Sequence, residues 1–392
     1  MASEKAPASS ATGTITKSAA APRPSDGLDA SRLVSLDALR GFDMILIIGT
    51  DDLVKSASGA SDSPIVQTLV QQFKHKAWDG FSFYDLIFPL FVFMVGVSLV
   101  ISLDKALERG GTKAVISRLF RRAIVLFLLG VFYSGGISKG VDQIRWMGVL
   151  QRIAVSYFIA ALIYIGCARN PKRVIAATVA ILLTYWALLS FVPLPSADFI
   201  SFAPDENWAN YLDLQLLPGR LYNKTWDPEG LLSSLPAVAS CLLGVLAGLL
   251  IKSDRVAPAR KSLILMVAGA ALVALGFAWG LQFPVIKQIW TSSYVLVAGG
   301  YSMLLLGAFY LVIDVWQCRR GIAPLLWVGS NALAIYLISG LVDFMGIAER
   351  LVGGEIQGLF GPWGKCVVAA TALALVIGLA GFLYRRKVFI RV

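Results

Sequence analysis

Ten stretches of apolar residues, each near the ~20 that a helix needs to cross a hydrocarbon core, follow one another along this 392-residue chain. Their limits are 36–53, 84–103, 120–135, 147–167, 173–193, 230–251, 261–282, 290–313, 322–341 and 364–384. No stretch alternates with period two, which argues against a membrane β-barrel. Only 15% of residues are charged, against about 25% in a soluble chain. The expectation is an all-α, polytopic integral membrane protein with about ten transmembrane helices.

Lysine and arginine set the orientation. With the N-terminus inside, 23 of the 35 fall on cytoplasmic segments and 10 on outer ones, while Arg40 and Arg152 fall within spans. That bias predicts a multi-pass protein with both termini in the cytoplasm. It also accounts for the net charge of +11 without nucleic acid, for which no motif exists. Residues 1–31, rich in Ala, Ser, Thr and Pro, are too polar to fold and lack the apolar core of a signal peptide. They read as a disordered cytoplasmic tail, followed by one membrane domain over 32–392 with an external loop at 194–229. The four cysteines show no CxxC spacing, and one histidine cannot complete a cluster, so neither a metal site nor a disulfide framework is expected.

Ionisable groups inside a membrane are costly and by default mark function. In the first span Asp37, Arg40 and Asp43 recur every three residues, a spacing that brings both carboxylates within reach of the guanidinium. The triad reads either as self-neutralised charge or as a phosphate contact at the inner mouth. The span closes on Asp51 and Asp52. Gln151 and Arg152 open the fourth span, and Asn331 lies in the ninth, where it serves a substrate or simply joins helices. The sole histidine, His75, sits in the first external loop. Imidazole is the side chain that changes charge near neutral pH, so general-base or acyl-transfer chemistry centres there. The alternative is a solvated loop histidine. Ser82-Phe83-Tyr84-Asp85 fits a helix N-terminus with Ser82 as cap and Asp85 at N3, a structural role that needs no catalysis. Pro89 is expected to kink the second span. In the external loop, Trp208, Tyr211, Tyr222 and Trp226 beside Asp198, Asp205, Glu206 and Asp213 suit a sugar, or else an interfacial aromatic belt.

Five ordered motifs carry a resemblance. RLVSLDALRGF from Arg32, KHKAWDG from Lys74, DLIFPLFVFMVG from Asp85, GVLQR from Gly148 and GSNAL from Gly329 together resemble the heparan-α-glucosaminide N-acetyltransferase family. The resemblance covers most of the chain after residue 31. It implies an enzyme taking acetyl from cytosolic acetyl-CoA and passing it to the amine of a glucosamine across the membrane. The family's active-site histidine falls on His75, and its upstream asparagine on or near Asp51 or Asp52. The candidate catalytic residues are thus His75, Asp51 and Asp52. Arg40, Gln151 and Arg152 are the candidates for acetyl-CoA, and Trp78 and Asn331 for the amino sugar. The short form is similar to bacterial relatives, some linked to N-acetylglucosamine uptake, which implies a multi-pass protein of a bacterial inner membrane. Membrane lipid surrounds such a bundle, and a homodimer is one assembly open to it. A transporter for N-acetylglucosamine using the same pocket is the reading from another class, although no inverted repeat supports it. A purely structural membrane protein would leave the buried charges unexplained.

Overall fold

The computed structural model describes residues 33–138, 140–195 and 199–389. The tail assigned to 1–31 lies outside them, as do Arg32, Lys139, Asp198 and Arg391 of the segments used above. The described chain is helical, with two isolated β-bridges and no ladder. Helix α1 (Val34–Ile45) runs through a π-helical segment (Leu46–Thr50) into α2 (Asp51–Ser58). α3 (Pro64–Gln72) precedes the His75 segment, after which a 3-10 turn (Phe83–Leu86) leads into α4 (Ile87–Tyr133). Then come α5 (Val149–Gly166), α6 (Pro171–Phe191), α7 (Trp208–Leu216), α8 (Ser234–Lys252), α9 (Pro258–Gly280) and α10 (Ser292–Phe309). α11 (Ala323–Ser330), α12 (Ala332–Leu341), α13 (Phe344–Val352), α14 (Glu355–Leu359) and α15 (Gly364–Arg385) complete the chain.

Among the described residues seven helices are long and apolar enough to cross a membrane, or eight if the α11–α12 pair counts as one span. That is a multi-pass membrane protein. The number differs from the ten apolar stretches for three physical reasons. The first stretch is divided between α1, the π segment and α2, none of which is long alone. The ninth is bent by 79° at Asn331, between α11 and α12. The second and third lie within α4, 47 residues long, whose single non-helical residue is Gly111 at φ 71°, ψ 166°.

Gly111 must reverse the chain. Tyr133 stacks on Tyr336 at 4.7 Å, and Tyr336 shares a cavity with Phe91. A straight helix would hold Phe91 and Tyr133 about 60 Å apart. That backbone conformation is open only to glycine at low cost. Pro89, expected to kink the helix, instead occupies its first turn, where a proline displaces no hydrogen bond. The stripe Phe120, Ile124, Leu128 and Phe132 is exposed at helical spacing, the face a bilayer would cover.

Inside, both halves of α4 pack on α5 and α8. Val92, Leu99, Val115 and Leu119 share one buried cluster with Ile153, Tyr157, Cys241 and Val245. Two helix pairs meet backbone to backbone through reciprocal glycines. A Cβ on Gly96 would lie 1.9 Å from the Cys241 carbonyl oxygen, and one on Gly244 1.9 Å from that of Phe93, which locks α4 to α8. Gly41 and Gly329 do the same for α1 and α11, with 1.8 Å to Leu325 and 1.9 Å to Asp37. Small residues permit such close approach where lipid supplies no hydrophobic drive between helices.

Candidate active site

His75 reaches its place because its loop is tied on three sides. Ser82 Oγ donates to the Lys74 carbonyl at 2.7 Å, and the Lys76 amide donates to Asp85 at 3.3 Å. Asp79 bridges Ile286, and the Gly80 amide, at a glycine-favouring φ of 109°, donates to the Val285 carbonyl at 2.9 Å. Trp78 Nε1 donates to the Phe202 carbonyl at 2.8 Å, and its ring meets Trp226 edge-on at 5.3 Å. These ties bring the His75 loop against the segment between α9 and α10.

That contact delivers Lys287. Its Nζ lies 2.9 Å from His75 Nδ1, 3.3 Å from Nε2 and 3.4 Å from Asp85 Oδ1. His75 Nδ1 is 2.8 Å from the same carboxylate oxygen. The other oxygen, Oδ2, accepts from the Ser82 amide at 3.1 Å and lies 2.8 Å from the Ser82 hydroxyl, whose one hydrogen it shares with the Lys74 carbonyl. The capping box expected from the sequence is therefore present, and it uses only one oxygen of Asp85. Oδ1 is left for the imidazole. The Asp85 carboxylate at Nδ1 favours the tautomer in which Nδ1 donates and Nε2 carries the lone pair, which Lys287 Nζ then faces at 3.3 Å. The Tyr84 ring covers the imidazole at 4.6 Å. Burial pulls the Lys287 ammonium below the usual lysine range, against the charges of Asp85 and Glu229.

Below this cluster a cavity of about 240 Å³ penetrates the bundle. His75, Lys287 and Glu229 stand at its polar end, and Met44, Ile47, Phe91, Ile153 and Leu333 are among its apolar walls. Glu229 is the second charged group that sequence reasoning passed over. Arg145 grips Asp227 through two bonds of 2.7 and 2.6 Å and Glu229 through one of 2.6 Å, beneath the Tyr222 ring.

The other candidates are scattered. Asp51 pairs with Lys55 at 2.6 Å, and Asp52 lines a second cavity beside Asp343. Both carry charge near Tyr84, but neither bonds the imidazole among the described residues; the carboxylate at the ring is Asp85. Arg40 pairs with Asp37 at 3.2 Å and donates to Ser98, thirteen residues along α4 from Asp85, about 20 Å. Asp43 does not join that pair as the spacing led one to expect: it is fully buried and neither oxygen has a partner. Gln151 and Arg152 are fully buried behind the cavity wall. Arg152 donates to Ser233 and lies 4.7 Å over the Trp290 ring, while its Nε and Nη1 lack partners. Trp290 holds that position at φ 54°, unusual for a bulky residue, and donates to Ser240 at 3.1 Å. Asn331 donates to the Val388 carbonyl at 3.1 Å and does not line the cavity.

A histidine oriented by a carboxylate, beside a buried lysine and above an apolar cavity, can remove a proton from a nucleophile that attacks an acyl group. Comparison with known proteins agrees with acyl chemistry. Heparan-alpha-glucosaminide N-acetyltransferase of Homo sapiens is 25% identical over 433 aligned residues, 91% of this chain and 59% of the relative. The Mus musculus protein of that name is 26% identical over 365, covering 79% and 53%. The chain thus spans little more than half the length of these curated relatives. The sequence profile of the acyltransferase domain matches residues 33–385, nearly the whole of the described chain, and the protein belongs to that acyltransferase family.

Proposed function

We propose that this protein is a membrane acetyltransferase that moves acetyl from acetyl-CoA to the amine of glucosamine or a related amino sugar. The observation that carries the reading is the His75–Asp85–Lys287 cluster at the polar end of an apolar cavity. The thioester enters from the cytoplasm of a bacterial inner membrane, and His75 faces the opposite side. The uncharged arm of acetyl-CoA suits the walls of Met44, Ile47 and Phe91. Arg40, half a helix deeper, suits its phosphates, though Asp37 already shares that guanidinium. Arg152 acts through its charge, which bears on Lys287 and Glu229. Trp78, half-buried beside Trp226, offers the sugar a stacking face.

In the step itself the amine nitrogen attacks the acetyl carbon and the carbon–sulfur bond breaks. His75 Nε2 takes the proton from the attacking nitrogen and returns it to the departing thiolate. The test is acetyl-CoA added to the purified protein, read first as a rise in thermal midpoint. Thiol release with glucosamine is then measured in wild type and in His75→Ala. Turnover falling about 10²–10⁴-fold with the midpoint retained supports the reading. Uptake of N-acetylglucosamine into proteoliposomes without CoA, unchanged in His75→Ala, would replace the enzyme with a transporter.

A further inference from the structure

We infer that Glu229 is the contact for the acceptor's amine: its carboxylate pairs with the incoming ammonium and accepts the proton that must leave before the nitrogen can attack. The inference rests on the acetyltransferase reading and adds a residue and a ligand charge to it. Three observations carry it.

First, the fork on Arg145 is complete without Glu229, whose other positive neighbour is the buried Arg152. Arg145 is already matched by Asp227 in a two-bond fork, and the third bond, to Glu229, puts a second negative charge on one guanidinium. Second, this carboxylate lines the same cavity as His75 and Lys287, and its side chain is 12% exposed. Third, the loop bearing it is locked. Asp213 accepts from the Asp227 amide at 3.3 Å and the Leu231 amide at 2.8 Å. Asp227 accepts from the Tyr222 amide at 3.1 Å and the Glu229 amide at 3.0 Å. Gly230 has no room for a Cβ, which would lie 1.9 Å from Asp213. So much support beneath one cavity-lining carboxylate, with one oxygen held by Arg145, is the construction expected of a binding group.

The charges facing Glu229 are Arg145, Arg152 and Asp227; it acts in turn on Lys287, and the titratable His75 lines the same cavity. Burial is the largest influence and raises the Glu229 carboxyl above its ordinary range, with the arginines opposing. A carboxylate of raised proton affinity is better matched to take a proton from an ammonium. The balance is complete. R–NH3⁺ gives one proton to Glu229. The freed lone pair forms the N–C bond as the C–S bond breaks. A second proton passes by His75 to sulfur, and Glu229 releases its own to solvent.

The experiment measures binding, not turnover. Intrinsic tryptophan fluorescence of the full chain in detergent is followed at pH 7 against glucosamine and glucose, in wild type and in Glu229→Gln, which keeps an oxygen for Arg145. Wild type should prefer glucosamine by about tenfold and the variant by less than twofold. In wild type the preference should shrink as pH falls, because the carboxyl protonates and no longer pairs with the ammonium. This limb needs no variant and stands if Glu229→Gln fails to fold. A tenfold preference retained in Glu229→Gln, or no preference in wild type at any pH, would overturn the inference. Stabilisation by acetyl-CoA is recorded alongside. If it and thiol release persist while Glu229→Gln still favours glucosamine, only the role of Glu229 fails. If the amine preference depends on Glu229 but acetyl-CoA neither binds nor reacts, the acetyltransferase reading fails and the amine site remains.

Discussion

Two aspartates of this bundle are fully buried and treated in opposite ways. Asp85, at the head of α4, has donors on both oxygens, drawn from Ser82, Lys76, His75 and Lys287. Asp43, on α1, has a partner on neither. The first is a junction where segments 212 residues apart converge on one ring. The second stands beside a local pair, Asp37 and Arg40, that closes without it. Burial alone therefore does not join a carboxylate to the candidate site. Contact with the imidazole and Lys287 does.

Removing the junction should have the larger effect. Asp85→Asn keeps the shape but loses the acceptor that fixes the imidazole tautomer, and acetyl transfer should fall by about 100-fold or more. Thiol release would register this, and a variant with full turnover would dissolve the contrast with Asp43. Gly111→Ala should come next. It forces a side chain into a backbone region reserved for glycine, at about 1–3 kcal/mol, with open space around the Cβ so that no clash confuses the result. A thermal midpoint unchanged in that variant would mean that the reversal of α4 carries no strain. The smallest effect belongs to Asp43→Leu. Removing a buried polar group that has no partner should leave stability unchanged or raise it by about 1 kcal/mol. A marked fall would show that Asp43 has a partner after all and sharpen the comparison.

Much of the fold was legible because a bilayer imposes a length on every apolar run. Hydropathy measures that run but not the hydrogen-bond ladder beneath it. It could not tell that Leu103–Val115 stays helical except at Gly111, or that Asn331 breaks a span by 79°. At the site, His75 was visible because its chemistry is unique in the chain. Asp85 was visible too, but its spacing from Ser82 announced only the capping role, which occupies one oxygen. Lys287 and Glu229 had no such mark. Each is an ordinary charged loop residue until the fold carries it to the cavity, and the one available signal was their position in loops on the same side as His75. Asp51 and Asp52 misled in the reverse sense, since closeness along the chain near the imidazole did not become contact with it.

The reciprocal glycines bear on how anything enters the cavity. Because α1 is clasped to α11 and α4 to α8 with carbonyls in the place of side chains, neither helix of a couple can slide or tilt without its mate. The cavity walls draw Met44 and Ile47 from one couple's side and Phe88 and Phe91 from the other's. The space beneath His75 therefore lies between two stiff couples, with α5 and α12 closing its other sides, and parting the couples as bodies would widen it.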